Sequence, residues 1–443
     1  MHRQGQSDAK PSHQPCGNVS LTRPLVVLQR RRIPILLSTF LTLLNDRLSE
    51  SIFLPLLPFL LADFSSSGST VGLLSGTYAL SQFAVAPLIG ALSDRYGRRP
   101  VITVCVAGSV VGMGLFAITL TLPWQQIWPG ATAAGLPLAL LFLARIIDGM
   151  SGGTAATATA VLADITTPEN RAKAFGLIGV AFGLGFALGP GLGGLLGEMN
   201  RILPAWGAAG FAAVNLAMVS LLLPETLPPE ARKPLPRKRA LNPVSLLRSV
   251  FAQNDVRRLA LAFFGFFMAF NGFTTILVLY LRNSFNWTEG MAGAAFALVG
   301  VIAMVVQGGL IGPLVKRFGE LRLTLTGLGL LTVGCMLVPM ATVETSVPVI
   351  YSAVALLALG TGLVTPCLRA LVSKRLNRGG QGAALGGLQG LQSLGTFLGA
   401  SAAGFSYDRL GQTSPFWIGA AVLVGVAVLV AARPRGEQLE QQI

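Results

Sequence analysis

Five ionisable side chains fall inside stretches that are otherwise apolar: Asp46, Arg47 and Glu50 in one stretch, Arg145 and Asp148 in another. Charges in such company are expensive to hold away from water, so each calls for a functional hypothesis. Asp46 and Glu50 are four apart and Arg145 and Asp148 three apart, spacings that put each pair on one face of a helix. Burial disfavours an ionised carboxylate and a neighbouring guanidinium favours it, so an arginine that moves can switch a carboxylate's proton affinity. The candidate chemistry is therefore reversible protonation by Asp46, Glu50 or Asp148 under the control of Arg145. A permanent ion pair that ties two helices together is the structural alternative. Histidine cannot supply the switch, because His2 and His13 both lie in the polar opening segment.

The elements that must position these groups follow from composition. Hydrophobic residues make up 52% of the 443-residue chain and charged residues 12%, too little polar surface for a water-soluble protein of this length. A crossing helix needs roughly 20 mostly apolar residues. Twelve such segments are expected, numbered here as spans 1 to 12: 33–61, 70–92, 100–121, 138–163, 173–197, 204–223, 259–281, 290–314, 322–342, 347–372, 383–405 and 414–432. Spanning β-strands would show short segments of alternating polarity, whereas Pro415 to Ala432 is apolar on every face. Helical rise places Asp46 roughly 20 Å up span 1 and Arg145 roughly 10 Å below the opposite surface in span 4, so the two are expected to meet.

The formal charge of +15 could point to nucleic acid, but the basic residues sit in alternate loops. Arg23, Arg30, Arg31 and Arg32 precede span 1; Arg95, Arg98 and Arg99 follow span 2; Arg171 and Lys173 follow span 4. The central loop and Lys316, Arg317, Arg322, Lys374, Arg375, Arg378, Arg433 and Arg435 continue the series, against Arg201, Arg282 and Arg409 in the opposite loops. By the positive-inside rule both termini and the central loop are cytoplasmic, and no nucleic-acid partner is expected. Cys16, Cys105, Cys335 and Cys367 have no metal-ligand spacing. The opening residues lack a cleavable signal pattern.

Residues 224–258 are rich in proline and charge and read as a linker between two halves, 33–223 and 259–432, with cytoplasmic tails at 1–32 and 433–443. An internal repeat supports the division. Gly90-Ala-Leu-Ser-Asp94-Arg95-Tyr-Gly97 after span 2 is echoed by Gly312-Pro-Leu-Val-Lys316-Arg317-Phe-Gly319 after span 8. Two six-helix halves imply a parallel-repeat transporter with its substrate site between them.

The loop Gly90-x-Leu92-x-Asp94-Arg95-x-Gly97-Arg98-Arg99 matches the loop 2–3 signature of the major facilitator superfamily. Span 5 carries Gly185-x-x-x-Gly189-Pro190-x-x-Gly193-Gly194, which resembles the motif of that superfamily's drug/proton antiporter branch. Close helix packing alone is the plainer reading of those glycines. Tyr78-Ala-Leu-Ser-Gln82, Ala163-Asp164 and Leu223-Pro-Glu-Thr226 look most like tetracycline-type efflux pumps, although spans 3 and 9 lack the carboxylates those pumps carry. The resemblance implies proton coupling through Arg145 and contact of Asp94 with the start of span 11. It also implies a gating pair between Arg98 and Asp164.

Gln82, Asn215, Asn271, Gln307, Gln389 and Gln392 are polar residues on apolar helices, suited to lining a substrate cavity or to bonding helices together. With Arg369 near the end of span 10, the second half holds no deep charge, which favours neutral or cationic substrates. The leading expectation is a proton-driven exporter of drugs or metabolites in a bacterial inner membrane, acting as a monomer without a bound cofactor. Uptake symport or uniport on the same fold is the first alternative and a non-transporting sensor the second. No Walker loop or nucleophile–base arrangement points to an enzyme.

Overall fold

The computed structural model describes residues 23–127, 135–166, 168–235, 242–251, 254–375 and 381–432. Residues 1–22 and 433–443, with Cys16 and the histidines, lie outside the described residues, as do linker residues Arg237, Lys238 and Arg239 and the basic position Arg378. So do the side chains of Arg23, Arg30, Arg31, Arg32, Arg171, Lys173, Arg375 and 381–386.

The chain is an all-α membrane protein of twelve crossings in two six-helix halves. Among the described residues, ten helices are long and apolar enough to cross a bilayer on composition alone. Spans 1 and 11 are helical as well and pack against neighbouring helices.

Several helices depart from the expected segments for identifiable reasons. Span 1 begins at Arg23, ten residues before the expected start, and its first helix ends at Ser51. Pro55 and Pro58 then impose a 3₁₀ turn, Leu54–Leu56, and a short helix, Leu57–Leu60. Span 4 is two helices, Gly135–Met150 and Thr154–Ile165, parted at Ser151-Gly152-Gly153. Span 8 runs from Glu289 to Val305, opens into a π-helical turn over Val306–Leu310 and continues as Ile311–Phe318. Between the halves the linker contains a helix of its own, Pro243–Phe251, and span 7 starts at Asn254.

The remaining crossings are Gly68–Tyr96 (span 2), Arg98–Thr121 (3), Pro168–Met199 (5), Leu203–Leu222 (6), Glu320–Leu337 (9), Ser346–Arg375 (10), Gln381–Leu410 (11) and Ser414–Ala431 (12). The halves touch chiefly where span 2 meets span 11 and span 5 meets span 8. Apolar lipid gives helices no hydrophobic reason to associate, so small residues make these seams. A Cβ on Gly72 would collide with the Ala400 carbonyl, one on Gly404 with the Gly68 carbonyl, and one on Gly300 with the Ala187 backbone. Toward the face opposite the linker, Arg282 of span 7 donates to the Pro58 carbonyl of span 1 at 2.8 Å. That far face is closed.

Candidate functional site

Span 1 presents Asp46, Arg47 and Glu50 on adjoining turns, and Arg47 forms salt bridges with both acids. Its Nη2 lies 2.5 Å from Asp46 and its Nη1 pairs with Glu50. Arg145 pairs with Asp148 at 3.0 Å within span 4, and these two side chains are only 2% and 5% exposed. The expected meeting of Asp46 with Arg145 is therefore corrected: each acid is served by an arginine of its own helix, Glu50 and Asp148 at the three-residue spacing that brings side chains together on one face. Arg47, a partner unassigned in the sequence reading, was legible as the one cation flanked by two acids.

The two groups still share one electrostatic environment, since Asp148 interacts with Glu50 and Asp46 as well as with Arg145. Aromatic faces separate them. The Arg145 guanidinium carbon lies 4.6 Å from the centre of Tyr78 and 5.3 Å from that of Phe53, and Arg47 stacks 4.7 Å over Phe182. The Nε atoms of Arg47 and Arg145 are buried without a hydrogen-bond partner.

The glycine motif of span 5 builds this site. Gly185, Gly189 and Gly193 press span 5 onto span 1, where a Cβ would strike Arg47, Ser51 and the Ile52 carbonyl in turn. Ser51 Oγ exploits the approach by donating to the Gly185 carbonyl at 2.8 Å. Gly194 faces the other half, where a Cβ would stand 3.0 Å from the Glu289 carbonyl and from Gly293 Cα. Pro190 sits inside the helix, and its carbonyl lies where a Cβ on Gly293 would meet it at 2.6 Å. One motif thus seats the charged span and forms the seam between halves.

In the loop after span 2, Arg98 donates to Asp164 at 3.0 Å, to Asp94 at 2.6 Å and to Ser93 at 2.9 Å. Asp94 makes its described contacts within the first half and with the linker, whose Lys233 N–H donates to the Asp94 carbonyl at 3.0 Å. The opening side chains of span 11, where Asp94 was expected to dock, lie outside the described residues. Gly97 adopts φ +109° and its counterpart Gly319 φ +78°, so the repeat is a repeat of geometry as well as of letters. Arg95 stacks on Tyr96, and Gly90 has open space where a Cβ would stand. Glu225 accepts from the N–H groups of Arg98 at 2.9 Å and Arg99 at 3.2 Å, and so caps span 3. Arg99 also reaches the Ser220 carbonyl at 2.6 Å.

The uncharged polar residues divide. Gln82 donates to the Gly152 carbonyl freed by the break in span 4, at 2.9 Å, and accepts from Ser393 of span 11 at 3.2 Å, so it couples the halves. Asn271 donates to the Phe267 carbonyl of its own helix, and Gln392 accepts from Arg369. Gln307, in the π turn, and Gln389 are exposed. Asn215 is corrected as a cavity residue: it is buried inside the first half, where span 6 packs on spans 1 and 3. Among the described residues, no group of three or more His, Cys, Asp or Glu side chains could hold a metal ion.

Two six-helix halves that meet at the far face, with a charged cluster in the first, have the architecture of a parallel-repeat transporter. The Major Facilitator Superfamily family model matches residues 36–386 and 308–442, and the chain belongs to that superfamily. It is 33% identical to the class C tetracycline resistance protein of Escherichia coli over 396 residues, covering 89% of this chain and 94% of the relative. The crystal structure of the human organic anion transporter MFSD10 (TETRAN) is similar, with a TM-score of 0.68 and 28% identity over 90% of this chain and 99% of that one. A partially occluded inward-open xylose transporter from E. coli shares the fold, with a TM-score of 0.69 at 16% identity and coverage of 89% of this chain and 96% of that one.

Proposed function

We propose that this transporter is a proton-coupled exporter of small amphiphilic molecules in a bacterial inner membrane, with its linker face and both termini cytoplasmic. The observation that carries the reading is the balance of the buried cluster: three carboxylates, Asp46, Glu50 and Asp148, share two guanidiniums, Arg47 and Arg145. With all five ionised the site holds one excess negative charge, and an uncompensated buried charge costs several kcal/mol even after relaxation. The site therefore demands one more positive charge. A proton supplies it when the transporter is empty, and a cationic part of the substrate supplies it when loaded, so the two exclude each other. Mutual exclusion at one site is what antiport requires.

The tetracycline resistance relatives support export, and the tight seam at Gly194 agrees with the antiporter-like motif. Uptake symport on the same fold would instead require proton and substrate to bind together. Purified protein in weakly buffered detergent, titrated with tetracycline and with rhodamine 6G while pH is followed, separates the two. Proton release upon binding supports antiport, and proton uptake or no change contradicts it. In proteoliposomes, dye flux should follow an imposed pH gradient.

A further inference from the structure

Arg369 is a guanidinium in the wall of span 10 for which, among the described residues, no carboxylate lies within ion-pairing distance. Its hydrogen-bond partner is the side-chain oxygen of Gln392 on span 11, at 3.0 Å. Span 7 packs against both spans 10 and 11, the two helices that the Arg369–Gln392 bond joins. The next residue on span 11, Ser393, bonds Gln82 of span 2, which in turn reaches the break in span 4 and lies 3.5 Å from the Tyr78 hydroxyl. A line of polar groups thus runs from Arg369 to the aromatic ring beneath Arg145.

The direction of the side chain excludes the simplest alternative. An arginine near a helix end ordinarily extends its head toward the closest water. Arg369 lies six residues inside the end of its helix at Arg375, about 9 Å deep by helical rise, and Gln392 lies eleven residues inside the start of span 11 at Gln381, about 16 Å deep. The side chain of Arg369 is exposed, and its guanidinium is held against span 11 by the Gln392 amide. A cation held by one neutral amide retains most of its capacity for a charged partner, and a planar guanidinium suits a carboxylate best.

We infer that Arg369, positioned by Gln392, is the docking point in the second half for an anionic group of the transported molecule, while the acids of spans 1 and 4 take its cationic part. The substrate class is thereby zwitterionic amphiphiles. The expectation drawn from the absence of deep charge in the second half, a preference for neutral or cationic molecules, is the alternative that the test below separates from it. It rests on the proposed transport function and names the ligand chemistry of the same site.

Rhodamine B and its ethyl ester share one xanthylium cation and differ in the free carboxylate. Equilibrium binding of both dyes to the full-length protein in detergent should show rhodamine B about tenfold or more tighter than the ester. Arg369→Gln should abolish that preference while leaving ester affinity unchanged, and Arg369→Lys, which keeps the charge, should retain a reduced preference and guard against a folding artefact. Equal binding of the two dyes by the wild type, no binding of rhodamine B, or a preference that survives in Arg369→Gln would each overturn the inference. Equilibrium binding is blind to direction and to coupling, so a failure here is distinct from a failure of proton exchange.

Discussion

Asp408, at the far end of span 11, accepts the backbone N–H of Gly68 in the first turn of span 2 at 2.8 Å, so a carboxylate of one half caps a helix of the other. Ser69 N–H donates to the same group at 2.8 Å, Ser67 Oγ at 2.7 Å, and Ser69 Oγ joins them. Every one of these bonds must break for the far face to open. Burial pushes the Asp408 carboxyl up, but the bonds from Ser69, Ser67 and Gly68 outweigh it and hold the group below the ordinary aspartate range. A depressed carboxyl stabilises the closed face above its ordinary value and loses that contribution as pH falls through the lowered one. Asp408→Asn should thus favour the far-face-open form, by about 1 kcal/mol after allowance for exposure, or roughly fivefold. Cysteine labelling of span 2 and span 11 seam positions should rise accordingly. Unchanged labelling would show that the glycine seam alone closes the face.

Substitutions within two glycine-containing motifs should behave in opposite ways. Gly194→Leu places a side chain where even a Cβ meets Glu289 and Gly293 at 3.0 Å, so the seam between spans 5 and 8 cannot close. Membrane insertion should survive, because the steric conflict lies between halves, while transport falls by more than about tenfold. Gly90→Ala meets nothing within 4 Å in this state and lies inside a helix, so its thermal stability should remain within about 0.5 kcal/mol of the parent. A large loss of stability in Gly90→Ala would mean that the loop is held more tightly than this form shows.

Glu225 caps span 3 at its positive end while Gly97 turns the chain at φ +109°. Glu225→Ala should cost about 1 kcal/mol, the usual value of a helix cap. Gly97→Ala should cost more, because it adds the strain of a positive φ, about 1–2 kcal/mol, to a collision with Glu225. Gly97→Ala combined with Glu225→Ala removes the collision and should cost less than the two single losses added together. Urea unfolding of the three variants in detergent would measure the coupling.

The halves, the repeat and the spans were legible because hydropathy and the spacing of basic residues act over long windows, where single exceptions average out. Partner choice was not. Asp46 was matched to Arg145 by depth, yet Arg47 lay one residue away, and proximity along a helix outranks proximity in depth. Asn215 resembles Gln82 in sequence, and only packing separates a residue buried inside one half from one bridging two. Asp408 and Glu225 act on segments more than a hundred residues distant, so no local pattern marked them as caps.

The division of the cluster between two arginines leads to the sharpest contrast. Arg47 is shared by two acids, whereas Arg145 has Asp148 as its ion-pair partner among the described residues. The excess carboxylate therefore belongs to span 1. Glu50→Gln or Asp46→Asn leaves one acid for each arginine, a balanced cluster with no demand for a further proton. Either variant should fold with near-parental stability and bind substrate without releasing a proton, and its transport should no longer respond to a pH gradient. Asp148→Asn has the opposite effect, since it leaves the buried Arg145 guanidinium without its carboxylate. Breaking a buried pair by removing one partner costs about 3–5 kcal/mol. That variant should lose stability first, and Arg145→Met combined with Asp148→Asn should recover much of it, because a neutral pair no longer strands a charge. Thermal unfolding alongside substrate-evoked proton release, run on all four proteins, orders the outcomes. Equal destabilisation by Glu50→Gln and Asp148→Asn would mean that the five charges form one indivisible network, and that the proton site does not belong to span 1.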